Sequence, residues 1–275
     1  MSSADVRIGF LGGGAMAEAL LGGLLADGID ASLLRAADPE PARRKHLSEA
    51  LGIATSAVNA EVAEASDVLV LAVKPGMVTP VLESLASGGF DCTRPLWISI
   101  AAGVTLAGLE ATLGTGARVV RAMPNTPALV GEGATGFCGN AGATDADLSA
   151  ARSLFESVGH AWGAQSEAQL DAVTGLSGSG PAYLFAFLEA LIAAGEAEGL
   201  PRAASEELVL QTAFGAAKLA RESERAPAEL RRQVSSPGGT TLAGLKQLEE
   251  RGFAEALGAA VRAATQRAGE LGRGE

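Results

Sequence analysis

Residues 8–20 read IGFLGGGAMAEAL, and this stretch decides the fold of the first half of the chain. An apolar run that predicts a strand leads into a glycine-rich turn, and a run of good helix formers follows at once. Gly12, Gly14 and Ala17 have the spacing G-x-G-x-x-A. In that spacing the first glycine allows a tight turn, the second lets backbone approach a pyrophosphate, and the small third residue permits close helix–strand packing. The stretch predicts a dinucleotide site at a helix start, whereas a plain tight turn is the simpler alternative.

The next predicted strand ends in residues 36–39, AADP, where a ribose-binding carboxylate is expected after such a turn. Asp38 in this position favours NAD, because a carboxylate accepts hydrogen bonds from the adenosine ribose hydroxyls. Arg43 and Arg44 follow closely, and a nearby arginine accommodates the extra phosphate of NADP, although both can equally be solvated helix charges. The residues leave NADPH and NADH both open as cofactors.

Short apolar runs alternate with helical patterns in the first half of the chain, which predicts a parallel sheet covered by helices on both faces. We expect an α/β, Rossmann-like dinucleotide-binding domain over residues 1–165. Its helical patterns include Ala15–Ala26 and Pro41–Leu51, and another lies near Asp145–Val158. The predicted strands, after which no more are expected, are Val6–Leu11, Leu33–Ala37, Val68–Val73, Trp97–Ile100, Val119–Met123 and Ala134–Cys138.

From about Ser166 helix follows helix, which predicts a second, all-α C-terminal domain over residues 166–275. The run AYLFAFLEALIAA, residues 182–194, is apolar nearly all the way round, unlike a surface helix. Either it forms the core of this domain or it packs against another subunit, and the small size of the domain favours a dimer interface. The predicted helices are Glu167–Thr174, Ala182–Glu198, Ala203–Arg221, Ala228–Val234, Thr240–Arg251 and Phe253–Leu271.

Composition excludes several classes of function. The 275 residues are 48% hydrophobic and 19% charged, which is typical of a soluble globular protein. A formal net charge of −11 argues against a nucleic-acid partner, because binding to phosphate backbones needs clustered Lys and Arg. We find neither a signal-peptide pattern at the N-terminus nor an uninterrupted apolar stretch long enough to span a bilayer. We therefore expect a cytoplasmic protein without a membrane partner.

Cysteines and histidines give no sign of a metal site. Cys92 and Cys138 lack any CxxC or metal-like spacing, and we interpret them as buried thiols of a reducing compartment. His46 and His160 belong to no recognisable motif, and we expect them on a surface helix and in a loop. No metal is predicted.

Residues 234–245, VSSPGGTTLAGL, interrupt the helical half with seven small residues. Hydroxyls and backbone N–H groups gathered at a helix start form a concave site for an anion. An N-cap is the simpler reading, because serine and threonine both cap helices well. One capping residue would suffice for that, so the pattern favours the anion site, with Gly239 allowing close approach or a positive φ.

Taken together, these motifs resemble the pyrroline-5-carboxylate reductase family over almost the whole chain. The resemblance rests above all on ELRRQVSSPGGTTLAGLKQLEE, residues 229–250, a specific signature of that family. It rests also on IGFLGGGAMAEAL, DVLVLAVKP, SIAAGV, RAMPNTPALVGEGATG and DAVTGLSGSGPAY. It implies reduction of L-1-pyrroline-5-carboxylate to L-proline, with NADPH or alternatively NADH, as the last step of proline biosynthesis.

The resemblance also implies which residues bind the cofactor. Asn59 would lie near the adenosine ribose and Asn125 near the nicotinamide, with strand-end residues closing over the cofactor between them. Ala15 departs from the family, which often has Asn or Gln there, and one cofactor contact is expected to be lost. Lys74 could be a catalytic acid, but neutralising the pyrophosphate or facing solvent is the simpler reading. The implied cofactor residues are Gly12, Gly14, Ala15, Met16, Asp38, Asn59, Ala72, Val73, Lys74, Pro75, Ala101, Ala102, Gly103 and Asn125.

The implied substrate residues lie in the second half of the chain. The substrate carboxylate would bind at the start of the helix that begins at Thr240, and the Thr241 hydroxyl would lie near the ring nitrogen as donor or proton relay. Glu224 would orient the substrate and stabilise the positive nitrogen, which makes Thr241 and Glu224 the catalytic candidates. The substrate-binding residues would be Ser179, Ser236, Gly239, Thr240 and Thr241.

Two other functions fit parts of the pattern. A β-hydroxyacid dehydrogenase has the same layout but uses a lysine on a long helix of its second domain, and residues 181–200 contain no lysine. A non-catalytic dinucleotide sensor would keep the glycine turn but would have no need of residues 235–241 with Glu224 upstream. The resemblance further implies dimers interlocked through the helical domain, sometimes assembled into pentamers of dimers. It then joins the cofactor domain of one subunit to its partner's helices in one site.

Overall fold

The computed structural model describes residues 6–273 of the chain. Eight strands form one sheet in the order β3-β2-β1-β4-β5-β6-β7-β8, and β1 to β6 run parallel to one another. β7 is antiparallel to β6, and β8 is parallel to β7. The strands are β1 (Ile8–Leu11), β2 (Leu34–Ala37), β3 (Ala54–Ser56), β4 (Val68–Leu71), β5 (Leu96–Ser99), β6 (Arg118–Met123), β7 (Gly133–Gly139) and β8 (Gly159–Gly163).

Helices cover both faces of the sheet because neighbouring strand residues point to opposite sides. Phe10 of β1 packs in one hydrophobic cluster with residues of α1 and α6, whereas Leu11 packs in a second cluster with residues of α3, α4 and α5. The predicted α/β arrangement is thereby confirmed. The helices are α1 (Ala15–Ala26), α2 (Pro41–Leu51), α3 (Asn59–Glu64), α4 (Pro75–Ser87), α5 (Leu106–Leu113), α6 (Asp145–Glu156) and α7 (Glu167–Val173).

The sheet differs from the sequence expectation at both edges, since β3 at one edge and β8 at the other were not predicted. The prediction that strands stop after Cys138 was wrong, because β8 adds an edge strand, and the sheet is not wholly parallel. His160 accordingly lies on β8 rather than in a loop. The strand GHAWG shows little apolar pattern, and its Gly159, at φ 148°, packs so tightly that a Cβ would overlap the backbone of Gly133.

The helical part begins with α8 and leaves its apolar side chains uncovered in the single chain. Of residues 180–261, all of which the structure describes, only Pro181 and Ser205 are buried. Leu184 and Phe185 of α8 are 63% and 59% exposed. Of the two alternatives, this exposure favours packing against another subunit over a domain core. The helices are α8 (Gly180–Ala197), α9 (Arg202–Glu222), α10 (Pro227–Gln233), α11 (Thr240–Glu250) and α12 (Phe253–Arg273).

One helical stretch among the described residues, Glu167–Ala197, is long and apolar enough to cross a membrane by length and composition alone. One such stretch is weak evidence for a membrane span, because the core helix of a soluble protein passes the same test. Its exposed apolar side chains mark an interaction surface.

The chain divides into two compact units, one of residues 6–179 with 262–273 and the other of residues 180–261. This division differs from the predicted boundary after residue 165. Leu170 of α7 is buried in the sheet's hydrophobic core, and α7 therefore belongs with the sheet. The end of α12 also belongs to this unit, where Leu271 lies against Gly103.

Both cysteines are buried free thiols, as predicted. Burial raises the pKa of Cys138 to about 11, with the nearby Glu167 carboxylate adding to the effect. Among residues 6–273, no group of three or more His, Cys, Asp and Glu side chains is arranged to hold a metal ion.

Candidate active site

The glycine turn lies at the point where the strand order of the sheet reverses. β1 pairs with β2 on one side and with β4 on the other, so the turn after β1 lies beside the turn after β4. Gly12, at φ 101°, is so close to this second turn that a Cβ would overlap the backbone of Ala72 and Val73. Open parallel sheets bind ligands at such a switch point, beyond the carboxyl ends of the strands.

The start of α1 is open to an anion. Gly14 is the residue before the helix, it is exposed, and a Cβ there would meet nothing within 4 Å. No side chain of Gly14 can accept the first N–H groups of α1, which are therefore available to a pyrophosphate. Ala15 is exposed, and half-buried Met16 packs against the hydrophobic core. A tight turn alone would not need the open approach at Gly14.

Asp38 stabilises the glycine turn by a hydrogen bond to its backbone. One of its carboxylate oxygens accepts the Gly13 N–H at 2.9 Å, and the other accepts the Glu40 N–H at 2.9 Å. Arg44 donates to the carbonyl oxygens of Asp38 and Pro39, each at 2.8 Å. Both carboxylate oxygens thus accept hydrogen bonds from backbone N–H groups, and the side chain supports the turn. It also lies at the position where the ribose of a dinucleotide is expected.

Arg43 of α2 contacts the same turn, and its sequence position is compatible with either a phosphate ligand or a solvated charge. Its guanidinium donates to the Gly13 carbonyl oxygen, to the Gly14 carbonyl oxygen at 3.2 Å and to the Glu18 carboxylate. His46 also contacts Glu18 at 2.8 Å. Hydrogen bonds from His46 and then Arg43 lower the pKa of Glu18. A cation therefore stands beside the predicted phosphate site.

Other predicted cofactor residues lie just beyond the strands. Lys74 and Pro75 begin α4 and are exposed, while Asn59 begins α3 after β3. Ala101 is buried and Ala102 exposed after β5. Gly103 has φ 76° and would bring a Cβ within 3.2 Å of Leu271, so its lack of a side chain serves packing of α12 as well.

Asn125 has a structural role that the sequence did not predict. It is 8% exposed, its amide donates to the Ser177 carbonyl oxygen at 3.1 Å, and its side-chain oxygen accepts the Ala134 N–H at 2.8 Å. The Ser177 hydroxyl closes this group by donating to the Ala134 carbonyl oxygen at 3.0 Å. Half-buried Ser179 follows directly, and its N–H donates to the Thr174 carbonyl oxygen at 2.8 Å.

Residues 235–241 form a turn whose shape explains its glycines. Gly238 carries the positive φ, 71°, whereas Gly239 has φ −80° and does not need glycine for that reason. Gly239 donates its N–H to the Ser236 carbonyl oxygen at 3.0 Å. A Cβ on Gly239 would overlap the Ser236 hydroxyl, so a side chain here would displace that hydroxyl, whereas the φ of Gly239 suits any residue.

The start of α11 lacks a capping side chain. Gly239 occupies the cap position, and no hydrogen bond satisfies the helix start through a side chain there. Within residues 6–273 the structure gives no hydrogen-bond partner to the hydroxyls of Ser236, Thr240 and Thr241. The helix-cap reading is thereby weakened, because serine and threonine that cap a helix accept its first N–H groups. The N–H groups of Thr240 and Thr241 and the three hydroxyls remain available to an anion.

Glu224 adopts a backbone conformation that is uncommon for its residue type. Its φ of 55° is the only positive φ of a non-glycine residue within residues 6–273, and its side chain is exposed. Such conformations cost free energy and are frequent at functional sites. The conformation therefore marks Glu224 as a candidate functional residue, but it does not define the role of the side chain.

Comparison with known proteins agrees with this arrangement. A family model described as pyrroline-5-carboxylate reductase dimerisation matches residues 167–271. A second, described as NADP oxidoreductase coenzyme F420-dependent, matches residues 7–103. A pyrroline-5-carboxylate reductase of Pseudomonas aeruginosa is 46% identical over 267 residues, which are 96% of this chain and 96% of that protein.

Two solved structures resemble the chain over nearly its full length. The pyrroline-5-carboxylate reductase of Coxiella burnetii has a TM-score of 0.92 and 40% identity, covering 97% of this chain and 98% of that one. The pyrroline carboxylate reductase of Plasmodium falciparum with NADP bound has a TM-score of 0.85 and 33% identity, covering 98% of this chain and 99% of that one.

Proposed function

The chain belongs to the pyrroline-5-carboxylate reductase family, and from this premise we propose that it reduces L-1-pyrroline-5-carboxylate to L-proline with NADPH or NADH. This reaction is the last step of proline biosynthesis. The observation that carries the proposal is the uncapped start of α11, where Ser236, Thr240 and Thr241 have hydroxyls without hydrogen-bond partners among the described residues.

The cofactor site fits a dinucleotide. Gly12 leaves no room for a side chain and Gly14 leaves the start of α1 open, as a pyrophosphate requires. The strand-end residues after β4 and β5 would hold the remainder of the molecule. When bound, the reduced nicotinamide supplies the hydride that reduces the carbon of the C=N bond.

The side chains and backbone N–H groups of the protein bind the substrate, orient it and stabilise its positive charge. Ser236 and the N–H groups of Thr240 and Thr241 would hold the substrate carboxylate, because the Gly239 N–H already donates to the Ser236 carbonyl oxygen. The Thr241 hydroxyl would lie at the ring nitrogen and hold its proton, and Glu224 would stabilise the positive charge there. A protonated imine is already a good electrophile, so positioning and electrostatics account for most of the catalysis.

Thr241→Ala tests this mechanism. We expect kcat to fall about 100-fold, in the range of a lost proton-transfer group. Thr241→Ser keeps the hydroxyl and is expected to retain most of the wild-type rate. The measurement is oxidation of NADPH on adding pyrroline-5-carboxylate, with proline identified as product. A Thr241→Ala enzyme with full turnover would remove this role from Thr241.

Asp38→Ser tests cofactor selection. The substitution removes a negative charge from the place where a 2′-phosphate is expected, so KM for NADPH should fall and KM for NADH should rise. We expect little change in kcat, because the hydride end of the cofactor is untouched. Asp38→Asn separates charge from support of the turn, because it keeps an acceptor for the Gly13 N–H. An unchanged preference in both variants would mean that the choice is made elsewhere.

The competing β-hydroxyacid dehydrogenase reading lacks its acid–base residue. Helix α8, Gly180–Ala197, contains no lysine. A 2-hydroxyacid or 2-ketoacid substrate, offered with the matching cofactor in the same assay, is expected to give no turnover. Activity on either of them without activity on the cyclic imine would favour the rival.

The protein is a soluble enzyme that forms a homo-oligomer, and residues 167–271 match the family's dimerisation model. The exposed apolar side chains of α8 support a homodimer formed through the helical part. Higher assembly into pentamers of dimers and a cytoplasmic location are further parts of the proposal.

A further inference from the structure

The motif RAMPNTP begins with Arg121, a residue to which the proposed function assigns no task. Arg121 lies on β6, in register with Ser99 of β5 and Cys138 of β7, and is 5% exposed. Burying a guanidinium is costly unless charged partners compensate for it. Its partners are therefore informative about why the residue is there.

A carboxylate 46 residues away provides that compensation. Nη1 of Arg121 lies 2.6 Å from Oε1 of Glu167, at the start of α7, and Nη2 lies 3.6 Å from the Asp171 carboxylate. The same Glu167 oxygen accepts the backbone N–H of Leu106 at 2.7 Å. Leu106 is the first residue of α5, which follows the loop of residues 100–105.

We infer that the Arg121–Glu167 ion pair positions the loop of residues 100–105 for binding of the cofactor. This inference rests on the proposed function, which assigns Ala101, Ala102 and Gly103 to the cofactor site. Arg121 orients Glu167, and Glu167 holds the downstream end of the loop through Leu106.

The hydrogen bonds donated by residues 101–104 are long, whereas at the two ends of the loop Ile100 donates to the Leu71 carbonyl oxygen at 3.2 Å and Thr105 accepts from Gly108 and Leu109 at 3.1 and 3.0 Å. The Ala101 N–H lies 3.4 Å from the Ser99 hydroxyl, and the Val104 N–H lies 3.4 Å from the Ala101 carbonyl oxygen. The bond from Leu106 to Glu167 is the short, charge-assisted one, and such bonds are about twice as strong as neutral ones. Packing of Leu271 against Gly103 supports the loop from another side.

The test compares NADPH binding with stability. Glu167→Ala removes the ion pair with Arg121 and the hydrogen bond from the Leu106 N–H. We expect the Kd for NADPH to rise about tenfold, as measured by calorimetry on the intact oligomer. Glu167→Gln retains an oxygen for Leu106 and is expected to stay within about twofold of wild type. If Glu167→Ala does not fold, Glu167→Asp shortens the reach to Leu106 while keeping the charge for Arg121, and the same rise is expected.

Asp147→Ala is the matched control. Asp147 lies 2.7 Å from Arg118, on the same strand β6, but this pair lies away from the loop of residues 100–105. We expect this variant to lower Tm by a similar amount and to leave the Kd for NADPH unchanged. Equal Kd values for Glu167→Ala and wild type, with a lowered Tm, would make the pair purely structural and overturn the inference. A wild-type protein that binds neither NADPH nor NADH would overturn the proposed function together with it.

Discussion

Gly239→Val is expected to raise KM for pyrroline-5-carboxylate about 100-fold, the equivalent of two lost hydrogen bonds to a charged group. The added side chain would overlap the Ser236 hydroxyl at the start of α11, so Ser236 and the neighbouring N–H groups would lose their arrangement. The KM for NADPH should stay within about twofold, because the glycine turn after β1 is untouched. Steady-state kinetics with each reactant varied in turn provides the measurement.

Gly244→Ala is the control for this experiment. It lies on the same helix α11, and a Cβ there would meet nothing within 4 Å. Alanine also has the higher helix propensity, so we expect unchanged kinetics and equal or slightly greater stability. Equal increases in both KM values of Gly239→Val would mean that the turn is structural and that the helix-cap reading holds.

Phe185→Glu is expected to abolish both assembly and turnover. Phe185 is 59% exposed in the single chain, and a carboxylate there would be desolvated by a covering partner. With only two buried residues between 180 and 261, the helical unit needs such a partner to hold α11 in place. We expect a monomer by light scattering and a loss of activity of more than about 100-fold.

Phe185→Leu, which keeps an apolar side chain, should retain both the oligomer and most of the activity. A stable monomeric Phe185→Glu protein with full activity would contradict the need for assembly. An intact oligomer would instead show that the interface lies elsewhere on the helical part.

The sequence predicted helices and strands well where hydrophobic periodicity agrees with boundary residues such as glycine and proline. Helices α1 and α2 begin and end where expected, because a glycine turn and Pro41 mark their starts. It missed α4, whose interior contains Pro80, and the strand β3, which has three residues at the sheet edge. Short edge strands and proline-containing helices depend on tertiary packing, which residue patterns do not record.

Site residues were predictable where a local motif carries them. The glycine turn and residues 235–241 are contiguous, so their backbone chemistry can be read along the chain. Arg121 and Glu167 form one ion pair across 46 residues, and only the register of β6 and the packing of α7 bring them together. The support that Asp38 gives to Gly13 likewise needs the β1–β2 pairing to be known.

We propose that residues 236–241 bind the carboxylate of a cyclic imine. The most direct test of this claim is the ratio of kcat/KM for pyrroline-5-carboxylate to kcat/KM for 1-pyrroline, which lacks the carboxylate, in the wild type and in Gly239→Val. We predict a ratio of about 100 or more in the wild type. In the variant the ratio should fall towards one, because the substitution has already removed the carboxylate interaction that 1-pyrroline lacks. A wild-type ratio near one, or a ratio that survives the substitution unchanged, would contradict the claim.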